Sequence, residues 1–242
     1  LDGVTGVQTC ALPILLEQFR IEEPATRFAE TAVAQPAIFA IQVALAAGWR
    51  RRGIVPSAVL GHSVGEIAAA HIAGALSLED AARLVVSRSR LMQRVTGQGA
   101  MLAVELPEAE AAAFAARLGE LDLAAVNGPA SCVLSGAPDA IASLASELAA
   151  ARVGHQALPV NYAFHSYQVD GLVTELVGEL EGLRPVPTRI PLVSTVTGEP
   201  MDGRRLDASY WGRNLRQPVR FADAIARRSE EHTSELQSHH PI

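Results

Sequence analysis

Apolar residues recur at three- and four-residue steps through QPAIFAIQVALAAGWRRRG (residues 35–53), the period of an amphipathic helix. Ile38, Ile41, Leu45 and Trp49 fall on one face, Pro36 suits the first turn, and Gly53 can close the last. The short apolar run from Val55 to Leu60 predicts a buried strand. A second helix is expected from the Gly61 turn to about Ala73, broken near Gly74. A third covers about Leu78 to Val95 and starts on Ser77-Leu-Glu-Asp80, which resembles a capping box. This alternation predicts an α/β class with a parallel sheet covered by helices.

The pattern then changes. MLAVEL is strand-like, PEAEAAAFAARLGE helical, LDLAAV and SCVLSG strand-like, PDAIASLASELAAAR helical and GHQALPV strand-like. The order β-α-β-β-α-β matches the ferredoxin-like motif, so residues 101–160 read as a small inserted subdomain. Residues 15–100 and 161–227 then form the core that it interrupts. A helix near Val169 to Leu183, the strand-like IPLVSTVTG and the segment YWGRNLRQPVRFADAIA follow it.

The two ends stand apart. VTGVQTCALPI (Val4 to Ile14) and RSEEHTSELQSH (Arg228 to His239) can be encoded by DNA segments that are reverse complements. Both then resemble a sequencing-library adapter read in two directions. Residues 1–14 and 228–242 are therefore expected to be translated adapter, outside the fold. With Cys10 set aside, Cys132 is the remaining thiol and no intramolecular disulfide is expected. His232, His239 and His240 likewise lose interest as metal ligands.

Composition narrows the function. At 49% hydrophobic and 19% charged, the chain reads as globular. The net charge of −6, with no basic block, argues against a nucleic-acid surface. No apolar run looks long and charge-free enough to span a bilayer, and no signal peptide is legible, so the cytoplasm is expected. All 20 cationic side chains are arginine and asparagine is scarce, which fits a high-GC bacterial source and makes arginine content weak evidence for function.

GHSVGE (61–66) has the form G-x-S-x-G between a predicted strand and a predicted helix. In that context the serine occupies a sharp turn that exposes its hydroxyl, and the next N–H, that of Val64, can face a developing oxyanion. The alternative is an ordinary glycine-flanked turn and helix cap. A nucleophilic Ser63 needs a base. His62 adjoins it and projects elsewhere, His71 suits a packed or surface position, and His155 starts a subdomain strand. His165 lies in NYAFHSYQ, where the chain returns to the core, and is the favoured base; a plain loop histidine is the alternative. Arg88 has Leu84, Val85, Leu91 and Met92 three and four residues away, so it alone of the helix arginines lies on the apolar stripe. A buried guanidinium requires an anion. Either an internal Asp or Glu supplies it, or a substrate carboxylate does.

Taken together, AQPAIFAIQVAL, GHSVGEIAAAHIAGALSLEDAARL, SRSRLM, GQGAM, AAVNGPASCVLSG, NYAFHS and YWGRNLRQPVRFADA resemble the acyltransferase domain of modular type I polyketide synthases, related to malonyl-CoA:acyl carrier protein transacylases. The resemblance covers nearly all of residues 15–227. It implies an α/β-hydrolase-like core with a ferredoxin-like subdomain. Ser63 becomes the nucleophile, His165 its base, Val64 an oxyanion donor and Arg88 the clamp on the malonyl carboxylate. The backbone carbonyl of Asn214 is implied to orient His165 in place of an acidic triad member.

Tyr162 to His165 track extender choice in that family. Tyr-Ala-Phe-His mixes a malonyl-type and a methylmalonyl-type pattern, and Phe164 and Val64 favour malonyl. The implied partners are acyl-CoA, the phosphopantetheine thiol of an acyl carrier protein, and neighbouring ketosynthase and other synthase domains. No metal or cofactor of its own is implied. The family's N-terminal glycine-glutamine-glycine loop, source of a second oxyanion donor, has no counterpart here. Slow turnover, on the order of 100–1000-fold below normal, and poor solubility are therefore expected of the chain as written. Two other readings fit the same fold: an editing acyl hydrolase or thioesterase, which needs no Arg88, and a silent fragment that only docks neighbouring domains.

Overall fold

The computed structural model describes residues 17–20 and 27–238, with side chains to residue 229. The N-terminal segment 1–14, with Cys10, and the side chains of His232, His239 and His240 lie outside the described residues.

Helix α1 (Thr31–Arg51) begins earlier than the pattern predicted, so Pro36 lies inside it and not in its first turn. Val33 and Ala37 are buried against Phe28, and the Ala32 N–H donates to Gln93 Oε1 at 3.1 Å, which anchors the extra turn. The helix ends as expected: Gly53 takes φ +80° while Ile54 N–H returns to Trp49 O and Gly53 N–H to Arg50 O, a Schellman closure. Its buried residues are Thr31, Val33, Gln35, Pro36, Ala37 and Phe39. The predicted core face is turned out instead: Ile38, Ile41, Leu45 and Trp49 are 43%, 45%, 60% and 54% exposed. Periodicity reports that an apolar stripe exists, whereas neighbours decide which side is covered. The expectation about membrane-length runs also fails, because α1 is long and apolar enough, by length and composition, to cross a membrane.

Helices α2 (Gly65–Ile72) and α3 (Leu78–Gln93) follow the prediction closely. Gly74, at φ +86°, separates them. The Ser77 hydroxyl accepts from Asp80 N–H at 3.0 Å and donates to the Asp80 carboxylate at 2.9 Å, capping α3. The predicted strand Val55–Leu60 is not formed. Only Val59 pairs, in a parallel bridge to Leu192, and Ile54 and Val55 are exposed. The strand-like IPLVSTVTG contributes that bridge and one antiparallel bridge, Val193 to Pro200. Among the described residues the expected parallel core sheet is thus reduced to one bridge.

The inserted region folds in the order predicted. Strand β1 (Ala100–Val104), α4 (Glu108–Leu118), β2 (Leu121–Gly128), β3 (Ser131–Gly136), α5 (Pro138–Ala150) and β4 (His155–Ala157) follow in sequence. The spatial order is β4-β1-β3-β2, all antiparallel, extended by a parallel strand β5 (Val219–Arg220) beside β2. Side chains alternate across the sheet. Leu102, Val104, Cys132 and Leu134 pack on α4 and α5, while Ala125, Val133 and Val219 form a smaller cluster with Ala103 and Phe221. Beyond the insertion come a 3-10 turn (Tyr167–Val169), α6 (Asp170–Glu179), α7 (Ala208–Arg216) and, after β5, α8 (Phe221–Ser238). Helix α8 crosses residue 228 without a break, and Arg228 donates to the Ser57 hydroxyl. The main core gathers Ile67, Leu84, Leu91, Leu172, Leu176, Tyr210 and Trp211 between α2, α3, α6 and α7.

Candidate active site

Ser63 sits between the Val59 bridge and α2 with φ +52°. Among the described residues only four non-glycine residues have positive φ, and two of them are Ser63 and His165, at +58°. Such conformations cost about 1–3 kcal/mol each and persist where surrounding structure enforces them. At Ser63 the enforcement is steric. A Cβ on Gly61 would lie 2.2 Å from the Gly65 backbone, so the turn closes this tightly only with glycine at 61.

His165 is the histidine brought to Ser63: its Nε2 lies 2.8 Å from Ser63 Oγ. The tautomer follows from the other nitrogen. Nδ1 is 2.9 Å from the Gln217 carbonyl oxygen, which can only accept, so Nδ1 carries the proton and Nε2 accepts from the serine hydroxyl. Burial, the nearby Arg88 charge and, more weakly, His62 and Arg216 push the His165 pKa down to about 3, against the pull of the Gln217 bond. The imidazole is therefore neutral and able to take a proton at ordinary pH. The other histidines among the described side chains are engaged elsewhere: His62 with Asn127 Oδ1 at 2.9 Å, His71 with Leu76 O at 3.1 Å, and His155 with Val153 O at 2.9 Å.

Arg88 is 1% exposed, on the core-facing side of α3 as its spacing predicted. Its Nη1 donates to Gln35 Oε1 at 2.6 Å and its Nη2 to Ser63 Oγ at 2.9 Å. Nε is buried without a hydrogen-bond partner among the described residues. The internal carboxylate weighed as an alternative is not in contact, since none of the ion pairs among the described residues includes Arg88. Burial lowers its pKa to about 10, with Glu66 pulling the other way, so it stays cationic. A buried cation without a paired anion, beside a hydroxyl that donates to a neutral imidazole, can orient an anionic acyl group for attack by that hydroxyl.

Matching this constellation, the sequence profile of the family described as "Acyl transferase domain" spans residues 14–241. The chain belongs to the acyl transferase domain family. It is 50% identical over 202 residues to erythronolide synthase EryA2 of Saccharopolyspora erythraea, which covers 82% of this chain and 6% of that protein. Polyketide synthase GfsA of Streptomyces halstedii is 49% identical over 208 residues, covering 84% of this chain and 3% of the relative. The chain thus spans a few per cent of the length of these relatives. Among solved structures, the acyltransferase domain from module 8 of the salinomycin polyketide synthase superposes with a TM-score of 0.83 at 41% identity, over 91% of this chain and 54% of that one. The malonyl CoA-acyl carrier protein transacylase of Coxiella burnetii does so with a TM-score of 0.82 at 25% identity, over 93% of this chain and 78% of that one.

The remaining residues expected to act in this acyltransferase fall into three groups. Tyr162 and Phe164 stack, with ring centroids 3.7 Å apart and planes at 10°, on the loop that carries His165. Val64 lies at the N-terminus of α2, immediately after Ser63. Asn214 requires a correction, because the carbonyl that holds His165 is that of Gln217. Gln217 follows the last turn of α7 in an extended conformation, and its carbonyl reaches the ring. The Asn214 side chain instead donates to Glu66 Oε2 at 2.9 Å and, at 3.5 Å, to the Ser63 carbonyl. Gln35, Glu66 and Gln217 escaped the sequence reading. A glutamine beside Pro36 on an otherwise apolar stretch was the signal for Gln35; a backbone carbonyl leaves none.

Proposed function

We propose that this acyltransferase transfers a malonyl unit from CoA, through an ester on Ser63, to the phosphopantetheine thiol of an acyl carrier protein in polyketide assembly. The observation that carries the reading is Arg88, buried, unpaired with any carboxylate among the described residues and in contact with Ser63 Oγ. His165 accepts the hydroxyl proton as Ser63 attacks the thioester carbon. The C–S bond breaks, CoA leaves as the thiol with that proton, and the Val64 N–H stabilises the oxyanion. The carrier thiol then attacks the ester with His165 again as base. A dicarboxylic acyl group satisfies Arg88, and a neutral one leaves it unpaired.

Malonyl over methylmalonyl rests on Phe164. It is stacked on Tyr162 and fills space that a smaller side chain would leave for a methyl branch. One methyl group is worth about 1–3 kcal/mol of discrimination. Relatives that are modular synthases favour a cytoplasmic setting with a ketosynthase and other synthase domains as neighbours, without nucleic acid or membrane. The domain itself needs no metal or cofactor in this mechanism. The β4-β1-β3-β2 order supports a ferredoxin-like subdomain at residues 101–160 inside an α/β-hydrolase-like core at 15–100 and 161–227. The adapter reading of 1–14 and 228–242 stands as a proposal that flanking genomic DNA tests.

Mass spectrometry of the Ser63 ester after incubation with malonyl-, methylmalonyl- and acetyl-CoA decides the substrate. We expect malonyl to load fastest. Arg88→Ala should cut malonyl loading by about 100-fold or more while sparing acetyl, because it removes charge-assisted bonds to the carboxylate. Faster loading from methylmalonyl-CoA would refute the extender choice. Wild-type loading of neutral acyl chains faster than of malonyl, and unchanged in Arg88→Ala, would favour the hydrolase.

A further inference from the structure

Glu66 is the most deeply buried carboxyl of the core, fully inaccessible, and the acyl-transfer steps do not use it. It lies on α2 one turn beyond Ser63. Around it are Tyr210 and Asn214, one turn apart on the same face of α7, and Thr195 from the loop after the Leu192 bridge. Tyr210 OH donates to Glu66 Oε1, as does the Thr195 N–H at 3.2 Å. Oε2 meets Asn214 Nδ2 at 2.9 Å and Thr195 Oγ1 at 3.0 Å. Two of these partners reach onward to the nucleophile turn. Thr195 Oγ1 donates to the Gly61 carbonyl at 2.8 Å, and Asn214 Nδ2 approaches the Ser63 carbonyl.

We infer that Glu66 is a positioning residue of the acyl-transfer centre: it clamps the Gly61–Ser63 turn to α7, whose C-terminal end presents the Gln217 carbonyl to His165, and so sets the Ser63–His165 register. The inference rests on the Ser63–His165 reading above. Its force is geometric. Ser63 and His165 come from segments 102 residues apart, and the ring is held at Nδ1 by a residue just past α7. Nothing in the Ser63–His165 contact itself fixes α7 relative to α2, and the Glu66 carboxyl does. Burial raises the Glu66 pKa against the pull of its bonds from Tyr210, Thr195 and Asn214.

The test uses a fluorophosphonate on the full 242-residue chain. Ser63 Oγ attacks phosphorus, fluoride leaves, and the hydroxyl proton passes to His165, so no acyl-CoA or Arg88 contact is needed. The rate constant reports the geometry of Ser63 and His165, and the amplitude reports the folded fraction. A residue that only supports folding lowers the amplitude and the melting temperature but not the rate constant. We expect Glu66→Ala to lower the rate constant about 10–100-fold, the scale of a displaced catalytic pair. Glu66→Gln, which keeps the shape of the carboxyl and one of its two acceptor oxygens, should recover part of the loss. If Glu66→Ala does not fold, Tyr210→Phe and Asn214→Ala each cut one arm of the clamp, and a reduced rate constant in either supports the inference. Rate constants equal to wild type in the folded variants would overturn it and leave Ser63 as nucleophile. A wild-type chain unlabelled at Ser63 would overturn the nucleophile reading and the inference with it.

Discussion

At the scale of single residues, the site is a set of groups that burial has driven into unusual states. His165 illustrates the consequence for stability. Its folded pKa is depressed to about 3, while the unfolded chain titrates near 6.5. Below the unfolded value the unfolded state binds a proton that the native state refuses, so the contribution of His165 to stability is fully present above about pH 6.5. It is lost as pH falls towards 3, at about 1.4 kcal/mol per pH unit. Denaturant unfolding at pH 7.5 and 5.5 should show wild type losing more stability than His165→Gln, which cannot titrate. Parallel losses in the two proteins would contradict the buried neutral imidazole. Ser63, His165 and Arg88 were all legible in sequence, because each departs from its surroundings: a serine between glycines, a histidine in a polar-aromatic loop, a cation in an apolar stripe. Gln217 was not, since it acts through a carbonyl that every residue carries. Glu66 was hidden for a different reason. An acid in the first turn of a helix is ordinary, and only the approach of α7 buries it.

At the scale of elements, the turn between Val59 and α2 is the critical one. Gly61 admits the close pass of the Gly65 backbone, and Gly65 in turn lies against Gln42 of α1. Gly61→Ala would force the turn open. We expect about 1–3 kcal/mol of destabilisation, typical of overpacking, together with loss of Ser63 acylation. Gly178→Ala, in α6 with open space around it and no positive φ, should leave acylation intact and serve as the comparison. Helices α2 and α3 and the six elements of the insertion were read correctly because their signals are local: a cap at Ser77, a break at Gly74, alternation in β1 and β3. The errors at α1 and at Val55–Leu60 share a cause. An apolar run specifies that a surface can be buried but not what buries it, and at both places the neighbouring element decides.

At the scale of the molecule, α1 leaves an apolar surface open. Trp49, Ile54, Val43, Val59, Ile72 and Ile190 line a groove of about 1430 Å³ whose walls do not include Ser63. Contiguous apolar surface of this kind drives association. The chain as given should bind an apolar dye and self-associate at raised concentration, and Trp49→Lys with Ile54→Glu, both exposed in the groove wall, should reduce both. A monodisperse wild-type chain with no dye response would contradict this. The seam between core and insertion has the opposite character. The chain leaves the core at Gly97–Gly99 and returns at Asn161–Ala163, and these crossings touch. Gly97 N–H donates to Asn161 O at 2.6 Å, and a Cβ on Gly99 would lie 2.4 Å from the Ala163 nitrogen. An insertion whose two ends meet can be exchanged like a cassette, by recombination or by an engineer, without reshaping its host. Here the exchange would not be neutral. The Ser135 hydroxyl of β3 holds the Phe164 carbonyl, next to His165 and beside the stacked Tyr162. A transplanted cassette would bring its own grip on that loop, so swapping the insertion would move His165 and the Tyr162–Phe164 stack along with it.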